Sequence, residues 1–422
     1  MQHKFLLFLF QVFSIVLPLS AQNYCIEGRF DQYIFDSLDI KVIQNIQYGT
    51  ALNYAGDMEN LGLDMYFPDT TLDDLEKKPL VMFVHGGGLV GGDKLNGAGI
   101  GYDFARRGFV YTSINYRLGY SNLGECAGDT ASLQLAIYRG IQDTKAAIRF
   151  IKENAHNYDI DTNAIFLIGS SVGATLILYA ALATQDNFYN YQYEALGSID
   201  SSTNDLYNHT TTVSAITGRA SGVESLEIFK NGNVPTQLFH GTCDFVVPYT
   251  EDPLYMCYTP VQYMHYHGSW EIAQYLQANG TPYELYTNEG FDHSAVEEDT
   301  LILYAGDFYK SILCNTLQLS TEYYRYNNGG CMATSENDFS ISFSPNPFHD
   351  ELNITVKGAR KEDISIELFS YTGQRIFSIE QHFTPPLAYY NLQFNTLFTS
   401  QGIYFLRVMG ETVTKSVTLF RH

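Results

Sequence analysis

Ala164-Ile-Phe-Leu-Ile-Gly-Ser-Ser-Val-Gly-Ala174 decides the fold. Ile165 to Ile168 is an apolar run with the length and branching of a buried strand. Gly169-Ser170-Ser171-Val172-Gly173 fits G-x-S-x-G centred on Ser171, and the apolar run from Ala174 to Ala183 suits a helix. Strand, Gly-flanked turn and helix together make a nucleophile elbow, in which a serine hydroxyl stands exposed above a sheet. The helix behind it offers free N–H groups to a developing anion. A bare G-x-S-x-G arises by chance in roughly one chain in five of this length, so the rest of the chain has to decide.

Acyl transfer needs a base for the serine proton, an acid to orient that base, and donors for the oxyanion. Pro79 to Val84 reads as a buried strand and ends at His85-Gly86-Gly87-Gly88, where the second oxyanion donor belongs. The expected oxyanion residues are Gly86, Gly87, Gly88 and Val172. No Lys-Ser/Thr follows these glycines, as a phosphate-binding loop would require. His240-Gly-Thr-Cys-Asp244-Phe-Val-Val-Pro248 follows the strand Thr236 to Phe239 and puts Asp244 beyond a strand's C-terminal end. Tyr286-Thr-Asn-Glu-Gly-Phe-Asp-His293 follows the strand Tyr283 to Tyr286 and supplies His293 as the base. Asp292 is a rival acid, but a sequence neighbour seldom folds back onto the adjacent ring. The expected catalytic set is Ser171, Asp244 and His293, with no metal and no cofactor.

Further strands are expected in Ile46 to Pro68, Phe109 to Tyr116 and Val213 to Thr217. Helices are expected at Ala98 to Arg107, Ser132 to Ala155, Gly268 to Ala278 and Val296 to Leu313. Alternating strands and helices predict an α/β fold with a doubly wound, mostly parallel sheet. Gln185 to Asn233 is polar and reads either as a small cap over the site or as loops. Residues 317–339 read as a linker. From 340 to 422 short alternating strands return without helical period, at 340–343, 352–356, 364–369, 403–408 and 413–419, and predict a small all-β sandwich.

Lys4, the apolar run Phe5 to Leu17 and the small residue Ala21 read as a secretory signal peptide over residues 1–21. No later run reaches the ~20 apolar residues of a spanning helix. The formal net charge is −22, whereas residues 341–422 hold seven Lys/Arg and seven Asp/Glu, so the acidic excess lies before them. An acidic body argues against nucleic acid as a partner. The chain has six cysteines and no C-x-x-C. Disulfides are permitted in an exported chain, and short spacing pairs Cys243 with Cys257 and Cys314 with Cys331.

Residues from about 40 to 316 resemble the α/β-hydrolase superfamily. They look most like carboxylesterases of the His-Gly-Gly-Gly type, relatives of hormone-sensitive lipase and of bacterial feruloyl and acetylxylan esterases. The resemblance rests on His85–Gly88, Asn115-Tyr-Arg-Leu118, Gln142-Asp-Thr-Lys-Ala-Ala-Ile-Arg149, Gly169–Gly173, Gly241–Pro248 and Asp292-His293. Ser170 and Val172 depart from the family's frequent Asp or Glu before the serine and Ala after it. The order Ser171, Asp244, His293 is the one this fold uses. The tail resembles the type IX secretion sorting domain of the Bacteroidota through Phe343-Ser-Pro-Asn-Pro-Phe348, Leu368-Phe-Ser-Tyr-Thr-Gly-Gln-Arg-Ile376, Gly402-Ile-Tyr-Phe-Leu-Arg407 and Lys415. The resemblances imply a hydrolase domain over 22–316 and a sorting domain over 340–422. They imply a small or polymer-linked ester as substrate, the type IX machinery as partner, and a secreted or surface-attached product. A serine peptidase of the same fold and an inactive, hydrolase-like adhesion protein are the rival readings.

Overall fold

The computed structural model describes residues 23–120, 129–188, 191–200, 207–256, 263–317, 320–326, 339–344, 351–358, 362–370, 374–383, 387–393, 402–409 and 414–421. The expected signal peptide lies outside the described residues.

The chain runs through β1 (Ile40–Leu52), β2 (Met58–Pro68), β3 (Lys78–Val84), α1 (Ala98–Arg106), β4 (Val110–Ile114), α2 (Thr130–Glu153), β5 (Ile160–Ser170) and α3 (Val172–Leu182). It continues with β6 (Ala215–Arg219), β7 (Gly222–Val223), β8 (Thr236–Gly241), β9 (Glu251–Pro253), β10 (His265–Gly268), α4 (Ser269–Ala278), β11 (Tyr283–Glu289), α5 (Glu298–Leu313) and β12 (Ser320–Tyr326). Nine strands form one sheet in the order β1-β2-β4-β3-β5-β6-β8-β11-β12. The β1–β2 and β2–β4 pairs are antiparallel, and every later pair is parallel. This is the doubly wound sheet the alternation predicts. The central strands carry no solvent face: all seven residues of β3 are buried, and so are Ala164 to Gly169 of β5. One face packs an aliphatic core with α2, α3 and α4. The other packs a core rich in aromatic rings, among them Phe104, Phe109, Phe166 and Tyr309, with α1 and α5.

Burial along α2 goes beyond the apolar stripe that the sequence shows. Gln142, Asp143, Lys145 and Arg149 are buried as well. Asp143 receives Arg117 through Nε at 2.9 Å and Nη2 at 2.7 Å, and Lys145 donates to the Ala183 carbonyl at 3.0 Å. A buried charge needs such partners to offset its lost hydration. The described parts of Gln185 to Gly197 are fastened to α2 as well: the Tyr193 ring stacks on Tyr138 at 4.7 Å, and Gln142 donates to the Leu196 carbonyl at 2.9 Å.

Two expectations are corrected. Residues 320–326 of the expected linker are β12, in parallel register with β11 from Tyr283↔Ser320 to Glu289↔Tyr326. Its sequence, Ser-Thr-Glu-Tyr-Tyr-Arg-Tyr, has no aliphatic residue, so its strand character rests on Thr and Tyr, which favour pleated surfaces. Cys314 pairs with Cys25, not with Cys331. The bond joins the end of α5 to the segment before β1, contacts 289 residues apart that short spacing cannot reveal. Cys243 is also disulfide-bonded, and the expected partner Cys257 lies outside the described residues.

The tail forms two antiparallel sheets. One joins β13 (Phe339–Ser344), β14 (Glu351–Gly358) and β17 (Leu387–Gln393). The other joins β15 (Glu362–Ser370), β16 (Arg375–Phe383), β18 (Gly402–Met409) and β19 (Thr414–Arg421) in the order β16-β15-β18-β19. Leu352 and Ile354 are buried on β14, and Ile364, Ile366 and Leu368 on β15, so each sheet has one covered face. The sequence reading missed β16 and β17.

Candidate active site

Ser171 sits between β5 and α3 with φ +56° and ψ −129°. A left-handed φ at a non-glycine residue is strained and persists only where the surroundings hold it. Here the Ser171 N–H donates to the Arg219 carbonyl at the end of β6, at 2.8 Å. Gly173 lets α3 approach the end of β3, since a Cβ there would lie 2.1 Å from the Val84 carbonyl oxygen. The neighbour Ser170 faces elsewhere and accepts from Arg219 Nε at 2.8 Å.

His293 stands in the loop after β11. Its Nε2 lies 2.8 Å from Ser171 Oγ, and its Nδ1 lies 2.7 Å from Asp244 Oδ2. A carboxylate only accepts, so Nδ1 carries the proton and Nε2 is free to accept from the serine. Asp244 Oδ1 accepts from the Val246 and Val247 N–H groups at 2.8 and 3.0 Å. Burial alone would raise the Asp244 pKa. Hydrogen bonds from His240 and His293 outweigh it and hold the carboxyl below the ordinary carboxylate range. Asp292 turns away and accepts from the N–H and the hydroxyl of Ser294. The loops bearing the acid and the base are laced together by Cys243 N–H to the Phe291 carbonyl at 2.8 Å and Thr242 N–H to the Asn288 carbonyl at 3.1 Å.

The glycine loop after β3 lies against the elbow. A Cβ on Gly86 would stand 3.3 Å from Ser171 Cβ, and Gly87 has φ +106°, a conformation that suits glycine. Among the described residues no acceptor takes the N–H of Gly87, Gly88 or Val172. Tyr116 fixes this loop from behind, and Asn115 beside it holds the segment that follows. Asn115 Oδ1 accepts from Lys94 N–H at 2.6 Å. Tyr116 stacks on His85 at 4.3 Å and donates to the His85 and Gly86 carbonyls at 2.9 and 3.3 Å. Burial lowers the His85 pKa against the opposing bond to the Gly86 carbonyl, so the ring stays neutral within the loop.

The structure thus brings Ser171, His293 and Asp244 into one hydrogen-bonded line and sets Gly86 beside it. Among the described residues no cluster of three or more His, Cys, Asp or Glu could hold a metal ion. Sequence reasoning missed three supporting residues. His240 is buried, with Nε2 3.1 Å from Asp244 Oδ2 and Nδ1 2.8 Å from Ser269 Oγ. Its four-residue spacing from Asp244 is the signal in the sequence that could have found it. Tyr116 was visible only as part of a motif, and Arg219 left no signal in Ala-Ile-Thr-Gly-Arg.

Residues 63–225 match the BD-FAE family, and residues 342–420 match the secretion system C-terminal sorting domain. Esterase E4 of Myzus persicae and lipase 1 of Geotrichum candidum are each 30% identical over 136 residues, covering 31% of this chain. The chain spans 23% of the length of each of these relatives. Among solved structures, esterase 2 of Thermogutta terrifontis is similar over 68% of this chain and 98% of its own, with 17% identity and a TM-score of 0.45. A Ser–His–Asp line at a strand–helix elbow, in the residue order of that fold, agrees with the family match. The chain therefore has an α/β-hydrolase fold in which residues 63–225 match the BD-FAE family, followed by a stretch that matches the secretion system C-terminal sorting domain.

Proposed function

We propose that the protein is an exported serine esterase that cleaves carboxylic esters borne by extracellular molecules, plant polysaccharide among them. The observation that carries this is the line Ser171–His293–Asp244 at 2.8 and 2.7 Å, with the serine held at positive φ. His293 Nε2 takes the Ser171 proton as Oγ attacks the ester carbonyl. The N–H groups of Gly87, Gly88 and Val172 receive the oxyanion, each such donor being worth roughly 3 kcal/mol in the transition state. The imidazolium, steadied by Asp244, returns the proton to the departing alcohol. Water then attacks the acyl-enzyme through the same base. The sorting domain supports export by the type IX machinery, with release or surface attachment as the outcome. No described helix is long and apolar enough to cross a membrane.

The test is labelling by a fluorophosphonate probe together with turnover of p-nitrophenyl acetate, acetylated xylan, feruloyl sugars and a long-chain triglyceride. Ser171→Ala should lose the label and about 10³-fold or more in rate. Ser170→Ala, which loses only the contact with Arg219, should keep both label and turnover. Labelling of Ser170 in place of Ser171, or failure on every ester, would refute the reading.

A further inference from the structure

A cavity of about 680 Å³ opens between α5 and the β8–β11–β12 edge of the sheet. None of the residues proposed for catalysis lines it. The volume falls in the range of small-molecule sites.

Its wall is an aromatic stack laid down by strand register. Tyr286 of β11 is level with Phe239 of β8 on one side and Tyr323 of β12 on the other. The rings follow: Tyr286 stacks on Phe239 at 4.3 Å and on Tyr323 at 4.4 Å, within 12° of parallel. Tyr304 of α5 adds a fourth ring, 5.0 Å from Tyr286. The stack is not sealed, since Tyr304 is 38% and Tyr323 42% exposed.

Polar groups line the same cavity. Glu284, Tyr286 and Asn288 share one face of β11 by the two-residue alternation of a strand. Glu284 gives one carboxylate oxygen to Gln237 and Tyr286, at 2.8 and 3.2 Å; its other oxygen takes no hydrogen bond among the described residues. Asp307 is exposed on α5. Asn288 is 4% exposed, yet its amide nitrogen has no partner among the described residues. A buried amide without a partner costs about 1–3 kcal/mol, so a native one calls for an explanation.

The ligand must meet three demands. It needs a face that lies on aromatic rings, donors for the carboxylates, and an acceptor for the Asn288 amide. An aromatic cation supplies the first two and leaves Asn288 unpaired. A sugar ring meets all three, because its C–H face packs on an aromatic ring and each hydroxyl both donates and accepts. We propose that this cavity is a second binding site, separate from the catalytic residues, for a neutral sugar unit of an oligosaccharide or polysaccharide chain. The site does not depend on the esterase reading. It would hold a polymer whether or not Ser171 turns over an ester on it.

The full chain is titrated by calorimetry with xylohexaose, cellohexaose and mannohexaose, and with benzylammonium as the aromatic cation. At least one sugar should bind with Kd near or below about 1 mM, and more tightly than the cation. Asn288→Ala and Tyr323→Ala should each weaken that binding at least about fivefold. Turnover of p-nitrophenyl acetate should stay within about twofold in Tyr323→Ala. Asp307→Ala, at an exposed helix position, is the third variant should Tyr323→Ala disturb the edge strand. The proposal fails if no sugar binds below about 10 mM, if the cation binds more tightly than every sugar, or if the variants that fold bind sugar as the parent does.

Discussion

His240 and His293 reach the same carboxylate oxygen, Asp244 Oδ2, from opposite elements, at 3.1 and 2.7 Å. His240 Nε2 also lies 3.1 Å from the Val247 carbonyl, so both its neighbours on that side are acceptors and Nε2 carries the proton. Ser269 Oγ, in the first turn of α4, lies 2.8 Å from Nδ1. The acid is therefore held from behind by the His240 ring as well as from the front by His293.

From this follows a pH prediction. Asp244 has its folded-state pKa depressed, so its contribution to stability is present above the unfolded value of about 3.9 and lost as pH falls through the folded value. His240→Ala removes one of the hydrogen bonds that depress it, and the folded value rises. Acid inactivation of the variant should begin at higher pH than in the parent, and kcat should fall about tenfold at neutral pH. His240→Gln, which returns a donor near the Nε2 position, should recover part of both. Parallel pH–rate and pH–melting profiles measure this; coincident acid limbs in parent and His240→Ala would remove His240 from the assembly.

Asp244→Asn should cost far more than Asp292→Asn. The first replaces the acceptor of His293 Nδ1–H and lets the ring take the wrong tautomer, a loss on the order of 10³–10⁴ in kcat. The second disturbs only a turn closed by Ser294. Steady-state kinetics on one ester decides, and equal losses would move the acid to Asp292.

Tyr116→Phe keeps the ring on His85 but deletes the donor to the His85 and Gly86 carbonyls. The loop bearing the oxyanion donors should loosen, lowering kcat about threefold to tenfold with little change in KM. An unchanged kcat would mean that stacking alone positions the loop.

Truncation should separate two boundaries. Ending the chain after Tyr326 keeps β12, so the hydrolase domain should retain activity and melting temperature, while the native host no longer exports it. Ending it after Leu317 strips β12 from β11 and removes Tyr323 from the ring of Tyr286. Melting should fall by at least about 5 °C. Equal melting of the two forms would make β12 an ornament of the sheet.

The residues that sequence made legible are those whose chemistry is local. Gly169 to Gly173, His85 to Gly88 and the loop positions of Asp244 and His293 each follow a strand, and strands announce themselves by apolar runs. What stayed hidden depends on the partner a residue meets in space. The polar face of α2 looks solvent-bound until Arg117 is seen against Asp143. Arg219 has no local signature because its role is to receive the Ser171 N–H and reach Ser170. Strand β12 has no aliphatic stripe, so its sequence reads as linker until Tyr286 supplies the ring on which Tyr323 lies.

The Cys25–Cys314 bond closes the hydrolase domain into a covalent ring just before the polypeptide leaves for the sorting domain. If that tail tethers the enzyme to a surface while the active site grips an insoluble polymer, tension enters at the C-terminal end. It peels β12 first and then meets the cystine. Beyond it the load divides between two routes to Ser171, one backwards through α5 and β11 and one across the sulfurs and forwards from residue 25. Unravelling past residue 314 towards the loop that carries His293 then requires the second route to give way as well. In a tethered catalyst the bond would share the load at the point where the sorting tail departs.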